Sequence, residues 1–441
     1  MSITEVPDLA PETTLTLPDT AERTFANGLT VIAVHRPSVP LVELRLRIPF
    51  AKADVATASV LGQTLLAGTA DKTMVDIAAE LQTVGGGLSA GADPDRLLIA
   101  GNSLADGLPY VLDLLAEVLT GATYPSVEVT TERERIADRL KVAAQQPAHL
   151  VARAVNKRVY GDHPYAVQTP EAEAVLAVGT AELAAMHASR LHPRGATLVV
   201  AGDVEPQAAL DACERALSGW NGGGEEIALP PIPKLLTGPL TFVDRPGSIQ
   251  SSLRIVMQGI PRTHPDSAAQ QLANLVYGGY FSSRLVENIR EDKGYTYSPR
   301  SSVEHSLAGT EISISADVAT EVTAPALWET WYEMGRFATV APGKEEVEQA
   351  RRYALGTLRL GTSTQAGLAG LVSVLAGYGL RLDWLTGHAT RLSEATVDDV
   401  ARAAANYFAP AKSVAVVLGD AAAVTGSLSA ITEIVSADAG A

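Results

Sequence analysis

The stretch LHPRGATLVVAGD, Leu191 to Asp203, returns as FAPAKSVAVVLGD, Phe408 to Asp420, and this pair decides the fold. Pro193 answers Pro410 and Gly202 answers Gly419, both at an offset of 217 residues. Each copy is an unbroken apolar run between turn residues, the pattern of a buried strand. A further match sets LRL at Leu44–Leu46 against LRI at Leu253–Ile255, offset by 209, and a helix expected from Asp54 is answered by one from Asp266. Matches that recur in the same order point to an internal duplication. The expected class is α+β, each half an antiparallel sheet with helices grouped on one face. The boundaries read as a mobile N-terminal arm over 1–23, an N-terminal half over 24–220, a linker over 221–238 and a C-terminal half over 239–441.

Gly222, Gly223 and Gly224 open that linker, which continues through LPPIPKLLTGP. They do not form a phosphate loop, because no strand precedes them and no Lys-Ser/Thr follows. Within the first half, Val42, Leu44, Leu46 and Ile48 alternate with Glu43, Arg45 and Arg47, which predicts a strand with one buried face. Asp54 is a helix cap for VATASVLGQTLLAG, a run expected to stay helical to Gly68, and a second helix is expected from Thr73 to Thr83. Val111, Leu112, Leu114, Leu115, Val118 and Leu119 mark one face of another helix. A long charged helix begins at Ser126.

A chain of 441 residues with 46% hydrophobic residues has material for more than one core. Its net charge of -16, from 34 Lys and Arg against 50 Asp and Glu, argues against a nucleic-acid partner, which needs a basic stripe. The start lacks a basic, then apolar, leader pattern, and the longest apolar run, Leu371 to Leu380, is too short and glycine-broken to span a bilayer. The expected location is cytoplasmic, without membrane attachment. Cys213, the single cysteine, falls on the apolar face of LDACERAL and reads as core. The eight histidines have no partners at a defensible ligand spacing.

Polar chemistry and a backbone break coincide in IREDKGYTY, Ile289 to Tyr297. A helix ending near Asp292 and turning at Gly294 into a strand would bring the Tyr297 phenol back toward the Arg290 guanidinium. Such a pair offers a fixed cation and a hydroxyl to one oxyanion or peptide carbonyl. The competing reading is a solvated helix end followed by tyrosines packing a sheet. An offset of 208 sets Gly86 of VGGGLSA opposite Gly294, so both halves are expected to run helix, glycine turn, strand.

The segments NGLTVIAV, LLAGT, VGGGLSA, ERERI, YGDHPY and above all GGYFSSRLVENIREDKGYTYS resemble the pitrilysin family of zinc peptidases, in its two-domain processing-peptidase branch. Active members of that family carry His-x-x-Glu-His on the helix before LLAGT, with two metal ligands one turn apart and a general base between them. Here those positions hold Ser59, Val60, Leu61, Gly62 and Gln63. The family's third ligand, a glutamate, aligns with Lys141 or its neighbours Arg139 and Leu140. The resemblance therefore implies that this chain holds no metal. In two-chain members the metal-free subunit turns an Arg/Tyr pair toward the zinc of its partner, and the pair maps onto Arg290 and Tyr297. The expectation is a non-catalytic subunit of a heterodimeric zinc peptidase that binds peptide substrate, with zinc in a homologous partner subunit. The alternative is a peptide-binding or structural scaffold of the same fold.

Overall fold

The computed structural model describes residues 16–224 and 227–437. Most of the arm, 1–15, lies outside them, and so do residues 225 and 226 of the linker. Residues 20–23, read from sequence as part of the arm, belong to strand β1 (Thr20–Thr24), which pairs with β2 (Thr30–His35).

The first sheet is completed by β3 (Leu41–Pro49), β4 (Gly87–Ala92), β5 (Arg96–Leu104) and β6 (Thr197–Gly202), in the order β1-β2-β6-β3-β5-β4. The second contains β7 (Leu240–Asp244), β8 (Gln250–Gln258), β9 (Arg300–His305), β10 (Thr310–Ala319), β11 (Ser413–Gly419) and β12 (Ile434–Ala437), in the order β12-β7-β11-β8-β10-β9. The inner strands correspond one for one, β3 with β8 and β6 with β11, so the duplication is real. The sheets are mixed where the sequence suggested antiparallel ones. After the helical layer the chain re-enters each sheet at its middle, so β6 runs parallel to β2 and antiparallel to β3, and β11 runs parallel to β7 and antiparallel to β8.

The helices α1 (Val55–Thr64), α2 (Met74–Thr83), α3 (Leu108–Gly121) and α4 (Ser126–Ala143) belong to the layer of the first half. Asp54 caps α1, accepting from the backbone N–H of Thr57 at 2.8 Å, and Thr73 caps α2 in a reciprocal box with Asp76. The helix α1 stops at Thr64, four residues short of Gly68, where a bridge from Gly68 to Thr73 takes over the backbone pairing.

Alternation assigns the two faces of each sheet to different covers. Val31, Ala33, Leu44, Leu46, Leu198 and Val200 point into the core made with the helices of their own half. The other face, Ile32, Val34, Val199 and Ala201, packs on Leu368, Ala369, Val372 and Leu375 of the helix Gln365–Gly377, which comes from the second half. Reciprocally, α5 (Pro147–Tyr160) puts Val151 and Ala154 against Val243, Val416 and Leu418 of the second sheet. Each half thus lends a helix to the other, which is why β6 and β11 are apolar on both faces. This exchange also buries Arg47, a residue expected on a solvent face. Its guanidinium lies where a Cβ on Gly377 would come within 2.6 Å.

The GDHPY loop ties the halves together. Tyr165 donates to the Asp95 carboxylate and accepts from the Ala308 N–H at 3.3 Å, while His163 hydrogen-bonds the linker carbonyl of Pro230 at 2.9 Å. Among the described residues, no helix is long and apolar enough to cross a membrane.

Candidate functional site

Arg290 sits in a helix that starts at Arg284 and widens into π-helical geometry over Glu287–Asp292. Gly294 then adopts φ +65°, a left-handed conformation that glycine takes without steric cost, and the chain reverses. The expected strand does not follow at once. Residues 295–299 belong to no ladder and β9 begins only at Arg300. Pro299 has no N–H to give a ladder, and the Thr296 hydroxyl donates to the Asp317 carbonyl at 2.7 Å in place of a strand bond. In the first half the corresponding turn, with Gly85 at φ +57°, leads straight into β4.

The irregular stretch nevertheless brings the predicted pair together. The guanidinium carbon of Arg290 lies 4.9 Å from the ring centroid of Tyr297 and 4.7 Å from that of Phe281. Both distances are within cation–π range. Arg290 Nε meets Glu291 Oε1 at 3.2 Å, and no hydrogen bond within the described residues engages its two terminal nitrogens. Tyr297 is 81% exposed, so its phenol meets solvent and not a sheet. The result is a planar cation held by an aromatic ring on each of two contacts, with its forked edge open. Sequence reasoning missed Phe281 and Glu291. The signal was present in GGYFSSRL, where an aromatic follows a glycine pair.

Of the positions read as a degenerate metal site, Ser59, Gly62 and Gln63 fall on α1 and Lys141 on α4. Ser59 lines a small cavity of about 100 Å³ with Phe50, Ala92 and Pro164. Gly62 packs against β4, where an added Cβ would lie 3.1 Å from the Gly91 Cα. Gln63 accepts from Arg135 Nη2 of α4 at 3.4 Å, and Arg135 is itself paired with Glu132 at 2.6 Å. The α4 residue that reaches Gln63 is therefore Arg135. Lys141 pairs within its own helix, with Asp138 at 3.3 Å. Among the described residues no group of three or more His, Cys, Asp or Glu is arranged to hold a metal ion. His187 is a structural histidine, bonded to the Tyr124 hydroxyl at 2.6 Å and the Leu119 carbonyl at 2.8 Å.

Two family models match the chain: the insulinase, peptidase family M16, model over residues 57–172, beginning within α1, and the peptidase M16 inactive domain model over 178–353, a span that includes Arg290 and Tyr297. The chain belongs to the M16 peptidase family. The M16 inactive domain of Pseudomonas fluorescens superposes with a TM-score of 0.83 at 25% identity, over 91% of this chain and 98% of that one. A protease from Helicobacter pylori shares the fold, with a TM-score of 0.82 at 19% identity over 91% and 100% of the two chains. An uncharacterized zinc protease of Mycobacterium leprae is 24% identical over 64% of this chain and 65% of its own length. Another, from Bacillus subtilis, is 24% identical over 62% and 68%.

Proposed function

We propose that this chain is the metal-free subunit of a heterodimeric zinc peptidase, and that Arg290 and Tyr297 act on peptide bound at a zinc ion held by a homologous M16 partner. One observation carries the reading: the Arg290 guanidinium is fixed between Phe281 and Tyr297 while its terminal N–H edge stays open. A group so arranged costs little reorganisation when charge develops in front of it. As water adds to a scissile peptide bond, the carbonyl oxygen gains negative charge. The Arg290 fork and the Tyr297 hydroxyl are donors suited to that oxygen, and a guanidinium keeps its proton throughout. Zinc and the general base belong to the partner, because Ser59, Gly62 and Gln63 supply neither two imidazoles nor a carboxylate.

The test mixes this chain with an M16 chain that retains His-x-x-Glu-His and follows cleavage of a fluorogenic peptide. Neither chain alone should cleave, the mixture should, and Arg290→Ala should lower the mixed activity by roughly 10²–10³. Cleavage by this chain alone, or unchanged activity with Arg290→Ala, would remove the proposal.

A second reading, a peptide-binding or scaffold protein without a role in proteolysis, is favoured by one feature. The strand β4 ends its sheet, and among the described residues no further strand pairs with its outer edge, to which an extended peptide could add. Peptide binding without cleavage in every partner combination would support this reading.

A further inference from the structure

The segment that carries Arg290 also forms one wall of a polar groove to which Arg290 does not contribute. Its space is about 570 Å³, and Glu287, Asn288, Asp292 and Lys293 face Trp328, Glu329, Tyr332 and Glu333 of the helix Thr323–Thr339 across it. Arg284, Arg336 and Glu346 close the ends.

Charge in this groove is unbalanced in one direction. Each of its three cations is already matched: Arg284 with Glu346 at 2.6 Å, Lys293 with Glu329 at 3.5 Å, and Arg336 with Glu333 at 3.2 Å. Glu287 and Asp292 are left with no ion-pair partner among the described residues. Buried hydrogen-bonding atoms are also left over. Glu333 is 1% exposed, yet its Oε1 has no hydrogen-bond partner among the described residues, and Asn288 Oδ1 and Arg284 Nη1 likewise have none. A buried polar atom left unpaired costs free energy, and several along one groove mark the complement of a ligand. Two of these atoms are acceptors and one is a donor. Trp328 and Tyr332, 52% and 55% exposed, stand one helical turn apart and offer aromatic faces beside the carboxylates.

We propose that this groove binds a basic amino-acid unit, arginine or lysine, free or within a peptide. Its cation lies among Glu287, Asp292 and the aromatic faces, its N–H groups satisfy Glu333 and Asn288, and its carbonyl oxygen accepts from Arg284. Metal ions are disfavoured because the set includes an aromatic pair and no cluster of three ligating side chains. The inference does not rest on the peptidase reading, since it concerns residues other than Arg290 and Tyr297.

Calorimetric titration of the full chain tests it with three probes: L-arginine, Nα-acetyl-L-arginine amide, and Nα-acetyl-L-norleucine amide as the uncharged control. Saturable binding of one or both arginine probes is expected, and none of the control. Binding of the free amino acid alone identifies a small-molecule effector, whereas binding of the capped form identifies a residue of a peptide. Glu333→Gln and Trp328→Ala should each weaken binding about tenfold or more. Trp328 is exposed, so its variant keeps the test meaningful even where the buried Glu333 variant fails to fold. Equal affinity for the norleucine probe, no saturable binding of either arginine probe, or affinity unaffected by Trp328→Ala would overturn the proposal.

Discussion

Gly62 on α1 and Gly91 on β4 are in backbone contact, so close that a Cβ built on Gly62 would lie 3.1 Å from the Gly91 Cα and 3.2 Å from the Ala92 nitrogen. The substitution Gly62→Glu forces the two elements apart. Overpacking of this kind costs about 1–3 kcal/mol. The expected outcome is a lower urea midpoint with unchanged slope, measured by circular dichroism. A wild-type midpoint would show that the contact gives way freely.

Cys213 is fully buried on the helix Pro206–Leu217, and burial alone pushes its thiol up to about 12. A thiol so placed carries almost no thiolate at neutral pH and is shielded from reagent. Native protein should therefore react with a disulfide reagent only at the rate of unfolding, whereas protein in denaturant should release one equivalent at once. Rapid labelling of the native chain would contradict this placement.

The legible part of the fold was its repeated grammar. Two apolar runs 217 residues apart and two helices beginning at Asp54 and Asp266 are enough to reveal the duplication, because burial leaves a local signature; of the two aspartates only Asp54 caps its helix through its side chain. The exchange of helices between halves was not legible. An unbroken run such as ATLVVAG announces burial on both faces but not which element supplies the second cover. Arg47 was misassigned for the same reason, since its cover, Gly377, lies 330 residues further on. At the site, Arg290 and Tyr297 could be paired from the glycine turn. The delayed start of β9 depended on the Thr296 hydroxyl finding Asp317, a contact with no local trace in the sequence.

Phe281 and Tyr297 hold Arg290 through different chemistry, and substitution separates the two. Tyr297→Phe keeps the ring 4.9 Å from the guanidinium but removes the hydroxyl. If that hydroxyl stabilises developing charge, activity of the mixed heterodimer falls by roughly 10²-fold with little change in KM. Phe281→Leu keeps the hydroxyl and removes one cation–π contact, worth about 0.5–1 kcal/mol at an exposed site, so activity falls only about twofold to fivefold. Steady-state kinetics on the two variants measure the contrast. A larger loss in Phe281→Leu than in Tyr297→Phe would make ring packing the dominant role.

Tyr160 of the first half donates to Glu311 Oε2 of the second at 2.9 Å, which places a titratable carboxyl at the junction between the halves. Burial raises the Glu311 pKa to about 7; the Tyr160 hydrogen bond opposes that shift and the nearby Glu304 charge adds to it. In the unfolded chain the same group titrates near 4.3. Between those two values the folded protein holds a proton that the unfolded chain has released, so stability falls as pH rises through the window. A shift of this size corresponds to something on the order of 3 kcal/mol, fully present below about pH 4 and lost by about pH 7 to 8. Glu311→Gln keeps an acceptor for Tyr160 and removes the titration. Thermal melting between pH 5 and pH 8 should show the wild type losing stability relative to Glu311→Gln as pH increases. Parallel profiles for the two proteins would mean that Glu311 ionises in the folded state as freely as in water.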